Sequence, residues 1–179
     1  MWLETSTGPP PRSSVTGGSG SLSDRGDVEP VSLGGPALFD TGVWTWARDR
    51  RFPQLASWFN AQVAAGRVLV CDLVVLELVR LTPNESRARE VAARLGVFES
   101  VPMPAKLWAR ARSLQVLLSA EGDHRRVPPA DLLIGAAAEA AGVPIVHYDR
   151  DYERLARAGS LDARWLVPDG ALAPAEQRR

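Results

Sequence analysis

The sequence predicts a single α/β domain, a three-layer sandwich in which a mainly parallel sheet is flanked by helices. Short apolar runs near residues 37, 68 and 143 alternate with longer segments whose apolar residues recur at helical spacing. Proline or a polar residue precedes several of these longer segments and glycine follows them, as expected where helices begin and end. Alternating strands and helices form βαβ units, and their right-handed crossovers bring the carboxyl ends of the strands to one edge of the sheet.

The composition is that of one globular domain with polar ends. The 179 residues, 45% of them hydrophobic, suffice for one well-packed core and are few for two domains. Residues 1–36 are rich in glycine, proline, serine and threonine. We therefore expect a disordered N-terminal tail there, a folded domain over residues 37–172 and a C-terminal tail over residues 173–179.

Charge, hydropathy and cysteine content exclude several classes of protein. The formal net charge is zero, so any nucleic-acid binding must rest on local patches. No apolar run reaches the roughly 18 residues that a membrane-spanning helix needs. The single cysteine, Cys71, excludes an internal disulfide, and its apolar neighbours predict a buried structural thiol. We expect a cytoplasmic protein without membrane association.

The first half of the domain is predicted to begin with a strand over residues 37–39 that ends at Asp40. A helix begins near Pro53 and ends at Gly66, and a second strand covers residues 68–71.

Two helices follow that strand. Asp72 is expected to cap a helix that runs to Leu81. Thr82-Pro83-Asn84-Glu85 matches a capping box with proline at the first helical position, which predicts a helix that runs to Leu95.

The second half begins with a plausible strand within residues 97–101 and an amphipathic helix over residues 104–120. The apolar face of that helix is expected to comprise Leu107, Trp108, Ala111, Leu114 and Leu118. The polar loop that follows contains His124, Arg125 and Arg126, which offer either a phosphate contact or a solvated surface.

The segment 128–152 is central to the predicted domain. Two prolines lead into an alanine-rich helix with Asp131 in its first turn, Gly142 ends this helix, and the next strand stops at His147. A short helix over residues 152–158 and an edge strand over residues 164–167 complete the domain.

Four carboxylates are predicted to meet at the carboxyl edge of the sheet. Asp40 and Asp149 follow strands. Asp131 begins a helix, and Glu77 lies in the second turn of a helix that leaves a strand. Two structural alternatives remain open: Asp131 could simply favour the positive end of its helix, and Glu77 could pair with Arg80.

Clustered carboxylates need a cation. Two ionised carboxylates about 4 Å apart repel by roughly 4 kcal/mol at an effective dielectric constant near 20. Hard oxygen ligands, without a cysteine or histidine cluster, favour Mg²⁺, or Mn²⁺ as an alternative, over zinc. Such an ion activates bound water for phosphodiester hydrolysis, which is the predicted chemistry.

The succession of motifs resembles that of PIN-domain ribonucleases, and most closely the VapC toxins of bacterial type II toxin–antitoxin modules. The resemblance spans about residues 37–172. It rests on these stretches in order: Phe39-Asp40-Thr41 with Val43-Trp44, Glu77-Leu78 with Arg80, His124-Arg125, Pro129-Ala130-Asp131-Leu132-Leu133-Ile134-Gly135-Ala136-Ala137, Val146-His147-Tyr148-Asp149-Arg150-Asp151-Tyr152-Glu153 and Arg164-Trp165-Leu166-Val167-Pro168. It implies a PIN-like sandwich, a metal-dependent endoribonuclease that hydrolyses RNA, a homodimer, and inhibition by a cognate VapB-type antitoxin that enters the acidic groove.

The resemblance also implies a role for each acid. Asp40 and Asp131 would be the main metal ligands and Asp149 a third. Glu77 would bind the metal through water or orient the attacking water, and Asp151 would be an auxiliary acid.

One position departs from the family pattern. The family usually has serine or asparagine two positions after the first acid, where this chain has Gly42, so a hydroxyl or amide near the metal is missing. This departure is the one feature that favours the alternative, a weak or inactive PIN-fold protein that acts by binding RNA or a partner. We expect His147 to be a hydrogen-bonded histidine at a strand end and not a general base.

Other folds that gather acids at strand ends fit less well. A receiver domain needs a lysine late in the chain, and Lys106 is the only lysine. A haloacid-type phosphatase needs a second aspartate where Gly42 stands, and the glycine pattern of a dinucleotide-binding domain is absent after the first strand.

Overall fold

The computed structural model of the chain describes residues 28–172. Within them, five strands form one sheet: β1 (Ala37–Phe39), β2 (Val68–Val70), β3 (Glu99–Ser100), β4 (Ile145–His147) and β5 (Ala163–Trp165). The helices of the same residues are α1 (Thr41–Trp46), α2 (Pro53–Ala64), α3 (Asp72–Arg80), α4 (Glu85–Leu95), α5 (Lys106–Ser119), α6 (Pro129–Ala141) and α7 (Arg150–Ala158).

The sheet has the strand order β3-β2-β1-β4-β5, and every neighbouring pair is parallel. This confirms the predicted α/β sandwich with a parallel central sheet. The three central strands are buried along their whole length and the two edge strands are not. The mainly apolar residues of the three central strands suit burial on both faces of the sheet. Because all strands run the same way, the chain leaves each of them at the same edge of the sheet.

Part of the predicted N-terminal tail packs against the domain. The N–H of Val31 donates to the carbonyl oxygen of Leu166 at 2.8 Å, and the indole N–H of Trp58 donates to the carbonyl oxygen of Val31 at 2.9 Å. Leu33 is buried. The tail prediction is therefore wrong for residues 28–36. The two apolar side chains of Val31 and Leu33, within this polar stretch, pack against the hydrophobic core. The predicted tails over residues 1–27 and 173–179 lie outside the described residues.

Two helix starts differ from the prediction. Cys71 is the capping residue of α3, and Asp72 is the first helical residue. Asn84, and not Thr82, caps α4: its side-chain oxygen accepts a hydrogen bond from the N–H of Arg87 at 3.0 Å. The Thr82 hydroxyl instead donates back to a carbonyl oxygen at the end of α3. Threonine and asparagine both favour the capping position of a helix, but only Asn84 lies directly before Glu85, the first residue of α4.

Trp108 does not belong to the buried face of α5. Its side chain is 58% exposed, whereas Leu107, Ala111 and Leu114 are buried. At 3.6 residues per turn, Trp108 is rotated by about 100° from Leu107 and faces solvent. No helix within residues 28–172 has the length and the apolar character to span a membrane.

Candidate metal centre

Asp40 lies at the junction of β1 and α1, where both of its carboxylate oxygens accept hydrogen bonds. Oδ2 accepts from the N–H of Gly42 at 3.0 Å and thereby caps α1, and Oδ1 accepts from the Tyr152 hydroxyl at 2.8 Å. Burial raises the pKa of Asp40, and these two hydrogen bonds oppose that shift. The sequence analysis missed α1 because six residues carry no helical repeat, although Asp40 is of the type that caps helices.

Gly42 stands directly beside this acid. A Cβ atom at Gly42 would lie 3.2 Å from Oδ2 of Asp40, closer than an ordinary contact. The hydroxyl that the family pattern places here is absent, but the neighbouring residue, Thr41, supplies one to the site. Its Oγ1 donates to Oε2 of Glu77 at 2.6 Å.

Glu77 is half-buried on α3 and is held by Thr41. Arg80 is exposed, and no salt bridge joins it to Glu77 within residues 28–172. The structural alternative for Glu77 is therefore not observed. The negative charge of Glu77 acts on both Asp40 and Asp131, which places it in the same group of acids.

Asp131 lies in the first turn of α6, where the negative charges of all the other acids of the site act on it. Its pKa is raised to about 8, first by burial and then by the charges of Asp40, Asp149, Glu77 and Asp151. A carboxyl group that served only to begin a helix would have a lowered pKa, because the helix terminus favours the charged form. The raised pKa is therefore evidence against the structural alternative for Asp131.

Asp149 and Asp151 lie at the beginning of α7. Asp149 caps this helix by accepting a hydrogen bond from the N–H of Asp151 at 2.9 Å. One carboxylate oxygen from each of Asp131, Asp149 and Asp151 lies within 4.8 Å of the others. Asp151, expected only as an auxiliary acid, thus lies with Asp149 in the group of oxygens that surrounds Asp131.

We define the acid group as Asp40, Glu77, Asp131, Asp149 and Asp151. Three of its members, Asp131, Asp149 and Asp151, have carboxylate oxygens close enough together to hold one divalent cation. Asp40 and Glu77 are linked to them through their negative charges, which raise the pKa of Asp131. Burial and the charges of neighbouring acids also raise the pKa of Asp151, as they do that of Asp131, so without a cation these two carboxyl groups hold their protons more tightly than usual. All the available donors are carboxylate oxygens, which suit Mg²⁺ or Mn²⁺.

His147 is fully buried at the end of β4. Its Nδ1 accepts a hydrogen bond from the N–H of Asp149 at 3.3 Å, and burial lowers its pKa to about 4. Nε2 therefore carries the proton of a neutral ring, and it lies 3.3 Å from a carboxylate oxygen of Glu153. This confirms the expected hydrogen-bonded histidine at a strand end.

The predicted basic loop lies next to the acid group. It contains a short 3₁₀ turn, Asp123–Arg125. Arg154 pairs with Asp151 on one side and approaches Asp123 at 3.5 Å on the other. Arg126 also lies 3.4 Å from Asp123. A phosphate contact by this loop stays a prediction.

A second basic region lines a cavity of about 710 Å³ between the end of α1, the start of α2 and α4. Its charged lining residues are Arg48, Asp49, Arg50, Arg87, Glu90 and Arg94. Glu90 pairs with both Arg87 and Arg94. Burial and the positive charges of Arg87 and Arg94 lower the pKa of Arg48. The cavity therefore has an excess of positive charge.

Two hydroxyl groups of the site were missed by sequence reasoning. Thr41 and Tyr152 each donate to an acid that is distant in the chain, Glu77 and Asp40 respectively. Both residues stand in motifs that carry the family resemblance, but nothing local marks either hydroxyl as a donor to these acids, because only the folded sheet brings the segments together.

Comparisons with known proteins identify the family of the chain. A sequence model of the PIN domain matches residues 37–158. The chain is 33% identical over 135 residues to ribonuclease VapC18 of Mycobacterium tuberculosis, which covers 74% of this chain and 96% of the relative. It is 39% identical over 90 residues to ribonuclease VapC21 of the same species, which covers 48% of this chain and 65% of that relative.

Solved structures show the same fold. The DNA-bound VapBC of Salmonella typhimurium matches with a TM-score of 0.58 at 15% identity, over 74% of this chain and 98% of that one. VapBC2 of Rickettsia felis, bound to a fragment of its promoter, matches with a TM-score of 0.57 at 16% identity, over 72% and 97%.

Proposed function

The chain belongs to the PIN-domain family, and we propose that it is a VapC-type toxin of a type II toxin–antitoxin module that acts as a metal-dependent endoribonuclease. The observation that carries this proposal is the convergence of the acid group around Asp131, whose pKa is raised to about 8. A fold that gathers this much uncompensated negative charge in a partly buried place is suited to a cation and to charge-dependent chemistry.

Asp40 and Asp131 are the proposed main ligands of Mg²⁺ or Mn²⁺, with Asp149 as a third. When bound, the ion supplies an activated water and neutralises charge on the phosphodiester. Glu77 orients the attacking water, and Thr41 keeps its carboxylate in place. Asp151 adds negative charge beside Asp131, and its pairing with Arg154 holds it there.

The proposed substrate is RNA. Arg125 and Arg126 lie on the loop that adjoins the acid group and would contact phosphates on either side of the bond to be cleaved. Because the net charge of the chain is zero, such local contacts must provide the attraction to RNA.

A cognate VapB-type antitoxin is the proposed partner. It would enter the acidic groove, and a second surface of the chain offers it a further contact. The cavity at Arg48, Arg87 and Arg94 combines excess positive charge with apolar lining from Val91 and Leu95. This combination suits a partner segment that carries both acidic and apolar side chains. The charge-reversing variant Arg48→Glu would then weaken the toxin–antitoxin complex, which calorimetric titration would detect.

A homodimer in the cytoplasm is also part of the proposal. Leu76 on α3 and Leu81 directly after this helix are more than half exposed, and so is Val97 just after α4. Exposed apolar side chains of this size favour an interface. The buried free thiol of Cys71 accords with a reducing compartment.

Cleavage of total cellular RNA by the purified protein tests the function. Fragments should appear with Mg²⁺ or Mn²⁺ and not with EDTA, and Asp131→Asn should abolish them. Asp72→Asn, which makes the same change at the exposed first residue of α3, should cleave normally. Equal cleavage by Asp131→Asn and the wild type would remove Asp131 from the site.

The alternative is a PIN-fold protein that binds RNA or a partner without cleavage, and Gly42 is the observation that favours it. A wild type that binds Mn²⁺ and RNA but produces no fragments would establish this alternative.

A further inference from the structure

Tyr152 connects Asp40 to the helix that carries two other acids. It lies in the first turn of α7, directly after Asp151, and is only 1% exposed. Its hydroxyl donates to Oδ1 of Asp40 at 2.8 Å, across 112 positions of sequence. The hydrogen bond thus links the β1–α1 junction to the start of α7, the two sides of the acid group.

The packing of this side chain does not require the hydroxyl. The ring of Tyr152 lies against His147 with ring centroids 5.3 Å apart, a contact that a phenylalanine ring would also make. A buried hydroxyl without a partner is unfavourable, so its burial here depends on Asp40 as acceptor.

Asp40 is oriented by two donors at once. Gly42 donates to Oδ2 and Tyr152 to Oδ1, so the carboxylate cannot rotate without the loss of a hydrogen bond. An ionised carboxylate offers about four lone-pair positions, so each oxygen keeps one for a further ligand.

We propose that Tyr152 is a positioning residue of the metal centre, which holds Asp40 so that this acid and Asp131 bind the same divalent cation. The inference rests on the proposed function and adds a residue to it. Loss of an outer partner of a metal ligand commonly weakens metal affinity by about 10- to 100-fold, and this is the loss expected for Tyr152→Phe.

Titration calorimetry with MnCl₂ measures this loss directly. Tyr152→Phe should bind Mn²⁺ about 10-fold or more weakly than the wild type, with an unchanged far-UV circular dichroism spectrum. Tyr148→Phe is the matched control, since Tyr148 is the only other tyrosine and its oxygen accepts a hydrogen bond from the N–H of Leu172. This control should bind Mn²⁺ as the wild type does.

A double variant tests whether Tyr152 acts through Asp40. If it does, the combination of Tyr152→Phe with Asp40→Asn should bind Mn²⁺ no more weakly than Asp40→Asn alone. Independent losses that multiply would overturn the positioning role.

Three other results would overturn the proposal. The first is an unchanged Mn²⁺ affinity in Tyr152→Phe, and the second is an equal loss of Mn²⁺ affinity in Tyr148→Phe. The third is loss of the folded circular dichroism spectrum in Tyr152→Phe, which would assign the hydroxyl to folding. RNA cleavage separates this inference from the function on which it rests. A wild type and Tyr152→Phe that bind Mn²⁺ and cleave equally well overturn only the positioning role. A wild type that neither binds Mn²⁺ nor cleaves overturns both.

Discussion

Replacement of Asp131 by asparagine should stabilise the metal-free protein at alkaline pH. The pKa of Asp131 is raised from its usual 3.8 to about 8, so the folded protein holds this proton more tightly than the unfolded chain does. The stability that the protonated group contributes is fully present below about pH 4 and is lost as the pH rises to about 8. Asparagine carries no titrating proton, so the variant escapes this loss.

The size of the effect follows from the shift. About four pH units at roughly 1.36 kcal/mol each set an upper limit of about 5 to 6 kcal/mol. Solvent and relaxation of the site reduce this to roughly 1–3 kcal/mol. Asparagine also loses about 0.3–1 kcal/mol of interaction with the positive end of α6. The remaining gain of about 1–2 kcal/mol corresponds to a rise of about 3–8 °C in the unfolding temperature.

Thermal unfolding followed by circular dichroism, in EDTA at pH 5 and pH 8.5, tests this expectation. Asp131→Asn should unfold at a higher temperature than the wild type at pH 8.5 and at nearly the same temperature at pH 5, and Asp72→Asn should follow the wild type at both. Added Mn²⁺ should stabilise the wild type and not Asp131→Asn. A variant that shows no gain at pH 8.5, or an equal gain at pH 5, would refute the reasoning that burial, together with repulsion within the acid group, raises the pKa of Asp131.

Three further predictions concern other parts of the molecule. Thr41→Val, which removes the hydrogen bond to Glu77, should lower kcat for RNA cleavage about 10-fold with little change in KM, and Thr41→Ser should restore it. Gly159→Ala should lower the free energy of unfolding in urea by about 1–3 kcal/mol, because its Cβ would lie 2.8 Å from a methyl carbon of Leu114. Cys71 should not react with a thiol reagent until the protein unfolds, because burial raises its pKa to about 11.

The sequence predicted what depends on local pattern. The runs that became β1, β2 and β4 were recognisable as buried strands, and Gly142 ends α6 with the positive φ that was expected. The four acids assigned to the sheet edge act on one another in the structure, since their charges shift the pKa of Asp131. Their roles as ligands remain proposals.

The features that the sequence did not predict depend on contacts between segments far apart in the chain, or on small differences in free energy between similar residues. Thr82 and Asn84 lie two positions apart, and both are residue types that favour the capping position. Local propensity therefore does not decide which of them caps α4. The packing of Val31 and Leu33 against the core needs the folded surface of the domain. Tyr152 is an ordinary core aromatic until the fold brings Asp40 to its hydroxyl.

The parallel pairing of β1 with β4 determines how late in synthesis the sheet can be completed. The centre of the sheet joins Leu38 to Ile145, so the ribosome must deliver nearly the whole domain before this pairing can form. Asp149 and Asp151 are synthesised later still. A nascent chain therefore has most of its mass before it has a complete acid group.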